Sequence, residues 1–270
     1  MLSCTLLSKG ADRRSRRLVR IIFFCQKDKM TLEICAQSLQ SAVNAQKGGA
    51  WRIELCQALE VGGLTPSSAT IQLVSRYLTI PIHVLLRPRV GDFTYSRLEV
   101  ETIKQDLENA KTMGASGVVV GFLDESLKVE TDLLEGIVIQ ASPMEVTFHR
   151  AIDVATNMDE AMKAIIGSGC SRVLTSGGAK SAIEGIKTLE HLQATFGDQI
   201  SIMAGKGVNS ENIRSLAEAG ITDFHMSGSV TYESETPNDL FSMNFDESDL
   251  EEIQAAREVI KDIRSGSRLI

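Results

Sequence analysis

The chain has 270 residues, 43% of them hydrophobic and 23% charged, proportions that exclude a largely disordered protein. Its net charge is −7, but residues 1–29 hold eight Lys or Arg against two Asp, leaving −13 on the remainder. An acidic body argues against a nucleic-acid partner, and no apolar run approaches the ~18–20 residues of a membrane helix. Five scattered cysteines are too few for a disulfide framework, so a reducing compartment is expected.

Residues 1–29 read as a basic extension, and residues 30–270 as the folded domain. The extension is Arg-rich and acidic-poor, the composition of a transit peptide. It reads equally as a disordered segment, or as the product of a start assigned upstream of Met30. The expected location is cytoplasmic, with an organelle as the alternative if residues 1–29 are a transit peptide.

From residue 31 onward, short apolar runs alternate with longer amphipathic ones. The runs fall at 31–35, 52–56, 80–88, 116–121, 143–150, 171–176, 199–205 and 222–227. Between them lie segments of helical length, such as 95–114, where Leu98, Ile103, Leu107 and Ala110 form a stripe. The Gly48–Gly49 pair suits a left-handed helix end, and Asn209 or Ser210 suits a helix start. A last helix is expected over 246–262. Eight strand–helix units in one chain predict a single-domain TIM (β/α)8 barrel rather than an open doubly wound sheet.

The first two strands share a pattern: "TLEIC" at 31–35 and "RIELC" at 52–56. Side chains alternate along a strand, so Glu33 and Cys35 share one face and Leu32 and Ile34 the other. Leu and Ile fit the helix-facing side, which turns Glu33, Cys35, Glu54 and Cys56 into the barrel. Both thiols then lie near the C-terminal ends of adjacent strands, where TIM-barrel sites are built. Soft thiolates select Cu(I), and a converging pair is a sufficient set of ligands. Cysteine is also a small, often buried hydrophobe, so the pair reads alternatively as core. Cys170 should lie at the opposite end of the barrel, and Cys4 and Cys25 fall in the extension.

A second polar group is expected around the barrel mouth. Arg87, Arg89 and Asp92 follow the third strand, and His149, Arg150 and Asp153 the fifth. Thr175, Ser176, Gly205, Lys206, Gly207, Ser227 and Gly228 would form an anion cradle on the later loops, and His225 ends the eighth strand. Glu33, Glu54 or His149 would serve as acid or base, with Arg87 as a charge clamp, if the chain is an enzyme acting on a small anionic metabolite. The bland alternatives are structural ion pairs at the mouth, helix caps for Asp92 and Asp153, and glycines that simply permit tight turns. His83 reads as a core or outward histidine, and His191 as a solvated one.

The segments "LEIC…SAVNAQKGGAWRIELC", "GGLTPS", "RPRVGDFTYS", "TFHRAID", "LTSGG", "IMAGKGV" and "DFHMSG" together resemble the CutC copper-homeostasis family over residues 31–228. The resemblance implies a TIM barrel, a homo-oligomer, and copper as the bound ion. It carries the family's proposed Cu(I) cysteines onto Cys35 and Cys56. It brings no established catalytic reaction. Trp51, Val90 and Lys206 depart from the family's common Asp, Gly and Gly, and the chain after Ser229 follows the pattern poorly.

Overall fold

The computed structural model describes residues 30–233 and 244–266. Within them, strands β1 (Thr31–Ala36), β2 (Arg52–Leu55), β3 (Ile82–Leu85), β4 (Gly117–Val120), β5 (Glu145–Phe148), β6 (Arg172–Thr175), β7 (Ser201–Ala204) and β8 (Asp223–Met226) close into a parallel barrel in chain order. Helices α1 (Leu39–Gly48), α2 (Ser68–Tyr77), α3 (Arg97–Thr112), α4 (Thr131–Ala141), α5 (Met158–Gly167), α6 (Ile186–Phe196) and α7 (Ile213–Glu218) link successive strands. Helix α8 (Leu250–Ser265) follows β8. The chain is therefore a TIM barrel. The basic extension at 1–29 lies outside the described residues.

Local sequence signals set the helix ends. Ser38 accepts from the Ser41 amide at the start of α1, and Gly49 closes it at φ 88°. Ser96 and Glu99 form a reciprocal capping box on α3. Helix α7 begins only at Ile213, because Asn209 spends its side chain on the Glu211 and Asn212 amides in a preceding turn.

The segment expected as one helix over 246–262 divides in two. Strand β10 (Phe245–Ser248) pairs antiparallel with β9 (Ser229–Tyr232), and helix α8 starts after it behind the Asp249 cap. The Thr231 hydroxyl donates to Asp246, and the Ser248 amide donates to Ser41 Oγ at 3.0 Å. Those bonds give the segment extended partners that a helix would forfeit.

Leu32, Ile34, Ile53 and Leu55 are fully buried on the helix-facing side, as the alternation requires. The barrel interior departs from the layers of Val, Ile and Leu usual in this fold. Instead, Arg52 of β2 binds Glu33 of β1 and reaches Asp223 of β8 at 3.0 Å. Arg172 of β6 joins the same Asp223 at 2.8 Å and extends to Glu145 of β5 at 3.3 Å. Thr31 and Ser201 also donate to Asp223. Buried charges are tolerated only when paired and hydrogen-bonded, and this network pairs them across five strands.

Candidate metal centre

Above the ion network the interior changes character. Cys35, Cys56, Leu85 and Val119 form a buried cluster near the C-terminal strand ends, with Leu59 packed against it. Leu59 belongs to a short 3-10 turn (Leu59–Val61) in a loop closed by the Gln57–Leu64 bridge. Gly63 in that loop has φ 85°, and a Cβ there would stand 2.7 Å from Leu85 Cδ2, so glycine lets the loop lie close over the thiols.

The two thiols converge. Cys35 Sγ lies 3.5 Å from Cys56 Sγ, and the residues are 3% and 0% exposed. Cys35 Sγ also donates to Glu54 Oε2 at 3.2 Å. The hydrogen bond to Cys56, then burial and the Glu54 charge, push the Cys35 thiol well above its ordinary range. Burial likewise raises the Glu54 carboxyl.

His225 completes the group, and the barrel closure explains how. The β1–β8 register sets Glu33 opposite His225, and Glu33 Oε1 meets His225 Nδ1 at 2.7 Å. The other ring nitrogen, Nε2, stands 3.7 Å from Glu54 Oε2. Donor atoms of Cys35, Glu54 and His225 all lie within 4.8 Å of one another. Burial acts to raise the Glu33 carboxyl, but Arg52 and His225 outweigh it and hold Glu33 well below the usual carboxylate range. Burial lowers the His225 imidazole, whereas Glu54 and Glu33 together raise it.

The residues expected at the mouth have mostly found protein partners. The Arg87 guanidinium donates to the carbonyls of Val61, Gly63 and Gly91 at 3.0–3.1 Å. His149 is buried, with Nδ1 accepting from the Ala151 amide at 3.1 Å and its ring 4.9 Å from Phe93. Asp153 is not a helix cap. It accepts from the Thr175 hydroxyl at 2.5 Å, from the Ser176 hydroxyl at 2.9 Å and from the amides of Ser176 and Gly178. An internal carboxylate thus occupies the Thr175–Ser176 part of the expected cradle.

The Gly205 amide donates to the Thr175 carbonyl, the Gly207 carbonyl accepts from Asn212, and the Gly228 carbonyl accepts from the Asp249 amide at 2.6 Å. Ser227 accepts from Ser229, and Lys206 is exposed at φ 78°. Asp92 pairs with Arg89 and accepts from the Thr94 amide, while Ser96 caps the following helix. His83 faces the interior, 3.8 Å from Glu145, and His191 pairs with Asp159 at the surface. Cys170 is buried ahead of β6, at the other end of the barrel.

Eight parallel strands around a sealed thiol–carboxylate–imidazole cluster define a TIM-barrel protein with a candidate soft-metal centre. The chain belongs to the CutC family, whose model matches residues 30–230. A CutC family protein of Xanthomonas campestris pv. campestris is 45% identical over 199 residues, covering 73% of this chain and 83% of its own. The human copper homeostasis protein cutC homolog is 41% identical over 204 residues, covering 75% of each. The crystal structure of a CutC protein from Streptococcus agalactiae superposes with TM-score 0.70 at 29% identity, over 73% of this chain and 98% of that one. Thiamine phosphate pyrophosphorylase from Pyrococcus furiosus has the same fold, with TM-score 0.55 at 13% identity over 88% of this chain and 98% of that one.

Proposed function

We propose that this protein binds Cu(I) through Cys35 and Cys56 and serves in copper homeostasis. The observation that carries the reading is the 3.5 Å approach of two buried sulfurs, one on β1 and one directly after β2. Thiolates are soft donors that favour Cu(I) over the hard cations of the cell. Leu59 and the loop around it shield the pair from solvent, which suits an ion that must be kept from adventitious ligands and oxidants. The CutC family membership and the name of the human relative support the same reading.

The test is Cu(I) titration of the reduced protein against a competing chromophoric chelator. Wild type is expected to bind one Cu(I) per chain, with affinity falling sharply in Cys35→Ser and Cys56→Ser. Unchanged affinity in the double variant would overturn the reading. An acid–base enzyme acting on an anionic metabolite gains less support, because Arg87, Thr175 and Ser176 are already engaged by protein carbonyls and by Asp153.

A further inference from the structure

Glu54 and His225 are not needed by a two-thiolate copper site, yet both are buried and aimed at Cys35. Donors around a four-coordinate Zn²⁺, with bonds of about 2.0–2.3 Å, are separated by about 3.3–3.8 Å. The separations here are 3.2 Å from Cys35 Sγ to Glu54 Oε2 and 3.7 Å from Glu54 Oε2 to His225 Nε2. The third pair, Cys35 Sγ and the His225 ring nitrogen, lies within 4.8 Å, so closing the trio on an ion asks for a side-chain movement of no more than about 1 Å.

The imidazole is also oriented for the task. Metal-binding histidines usually donate their second ring N–H to a carboxylate, which fixes the tautomer and leaves the other nitrogen free to ligate. Glu33 is that carboxylate at 2.7 Å from Nδ1, and Arg52 in turn holds Glu33 in place. This explains why β1 carries a glutamate beside its cysteine.

We infer that Cys35, Glu54 and His225 form a second metal site, for a borderline divalent cation such as Zn²⁺, that overlaps the thiol pair at Cys35. Sulfur, oxygen and nitrogen together suit Zn²⁺, whereas Cu(I) is expected to prefer the two sulfurs. Because Cys35 is common to both sets, one ion excludes the other. The inference rests on the copper reading only for that competition.

The test uses reduced, metal-free full-length protein and three probes applied singly: Zn²⁺, Co²⁺ as its spectroscopic substitute, and Cu(I). Cys56→Ser is expected to lose tight Cu(I) binding yet keep Zn²⁺ affinity and the thiolate-to-Co²⁺ charge-transfer band. His225→Phe is expected to weaken Zn²⁺ by at least about tenfold, the lower limit set by losing an outer partner alone, while keeping Cu(I). Glu54→Gln, nearly isosteric, should repeat the His225→Phe pattern and guards against a folding defect in it. Cys35→Ser should lose both ions. Zn²⁺ affinity unchanged in both His225→Phe and Glu54→Gln, or lost together with Cu(I) in Cys56→Ser, would overturn the second site. Retention of Cu(I) by Cys56→Ser would instead overturn the dithiolate reading and leave the Zn²⁺ arms to stand alone.

Discussion

Arg87 Nη1 donates to the carbonyl of Gly63 at 3.0 Å, tying β3's C-terminal end to the loop that covers the thiols. The same guanidinium reaches Val61 and Gly91, and Gln37 Oε1 accepts from the Leu59 amide at 3.2 Å. Leu59 is thereby pinned over Cys35 and Cys56. The geometry makes Arg87 a latch on the cover of the site.

Removing that latch should expose the thiols. Hydrogen bonds from a charged donor are worth about 1.5–3 kcal/mol, so Arg87→Met should raise the open population about 10–150-fold. Peptide-resolved mass spectrometry after brief alkylation of the reduced protein would read this as faster labelling of Cys35 and Cys56. Cys170 is the internal control, since burial pushes its thiol up to about 12 and it lies far from the loop. Equal labelling of Cys35 and Cys56 in wild type and variant would show that Arg87 does not hold the cover.

A second expectation concerns the charged interior. Arg52 bridges Glu33 and Asp223, and all three are buried. Arg52→Met fits the space but takes the guanidinium from both carboxylates, leaving Glu33 only His225 and Asp223 only Arg172 as charged partners. Breaking one member of a buried ion network costs about 3–5 kcal/mol, a large share of the stability of an ordinary domain. Urea denaturation at neutral pH should show this loss. A change below 1 kcal/mol would mean that water reaches the network and screens it.

Much of the barrel could be read from the sequence because its outward face is a series of Leu, Ile and Val runs separated by amphipathic helices. The thiol pair was legible for a related reason. Cys35 and Cys56 close the same Glu-x-Cys pattern at the C-terminal ends of consecutive strands, Cys56 one residue past β2, and adjacency in sequence order is adjacency in the barrel. Local pattern places His225 at the barrel mouth but does not join it to the thiols, because its meeting with Glu33 depends on the closure of β8 onto β1, across 192 residues. The available signal was register: a barrel predicted closed must pair "TLEIC" with "TDFHMS", which brings Glu33 level with His225. Between the two readings of Asp153, a place in the polar mouth or a helix cap, local pattern cannot choose, for the same reason. Its partners Thr175 and Ser176 belong to the next strand and loop, beyond the reach of local pattern. The β9–β10 hairpin was hidden because "FDES" carries the acidic residues of a helix start, and only the pairing to β9 makes it extended.

A third prediction follows from His149. Burial first, and the nearby Arg87 guanidinium second, push its imidazole down to about 3, against an ordinary value near 6.5. The folded protein therefore keeps His149 neutral where the unfolded chain protonates it. This contribution is fully present above pH ~6.5 and drains away as pH falls from there toward 3. His83 behaves alike over a narrower span, since burial pushes it down to about 4. Carboxylates titrate in the same range, so the informative quantity is the difference between wild type and His149→Phe. Between pH ~6 and ~4, wild type should lose about 1.4 kcal/mol per pH unit more than the variant, one proton's worth of slope. Urea denaturation across that range measures it, whatever the variant's stability at pH 7. Parallel curves would mean that the imidazole titrates equally in both states, and that His149 is not sealed from water.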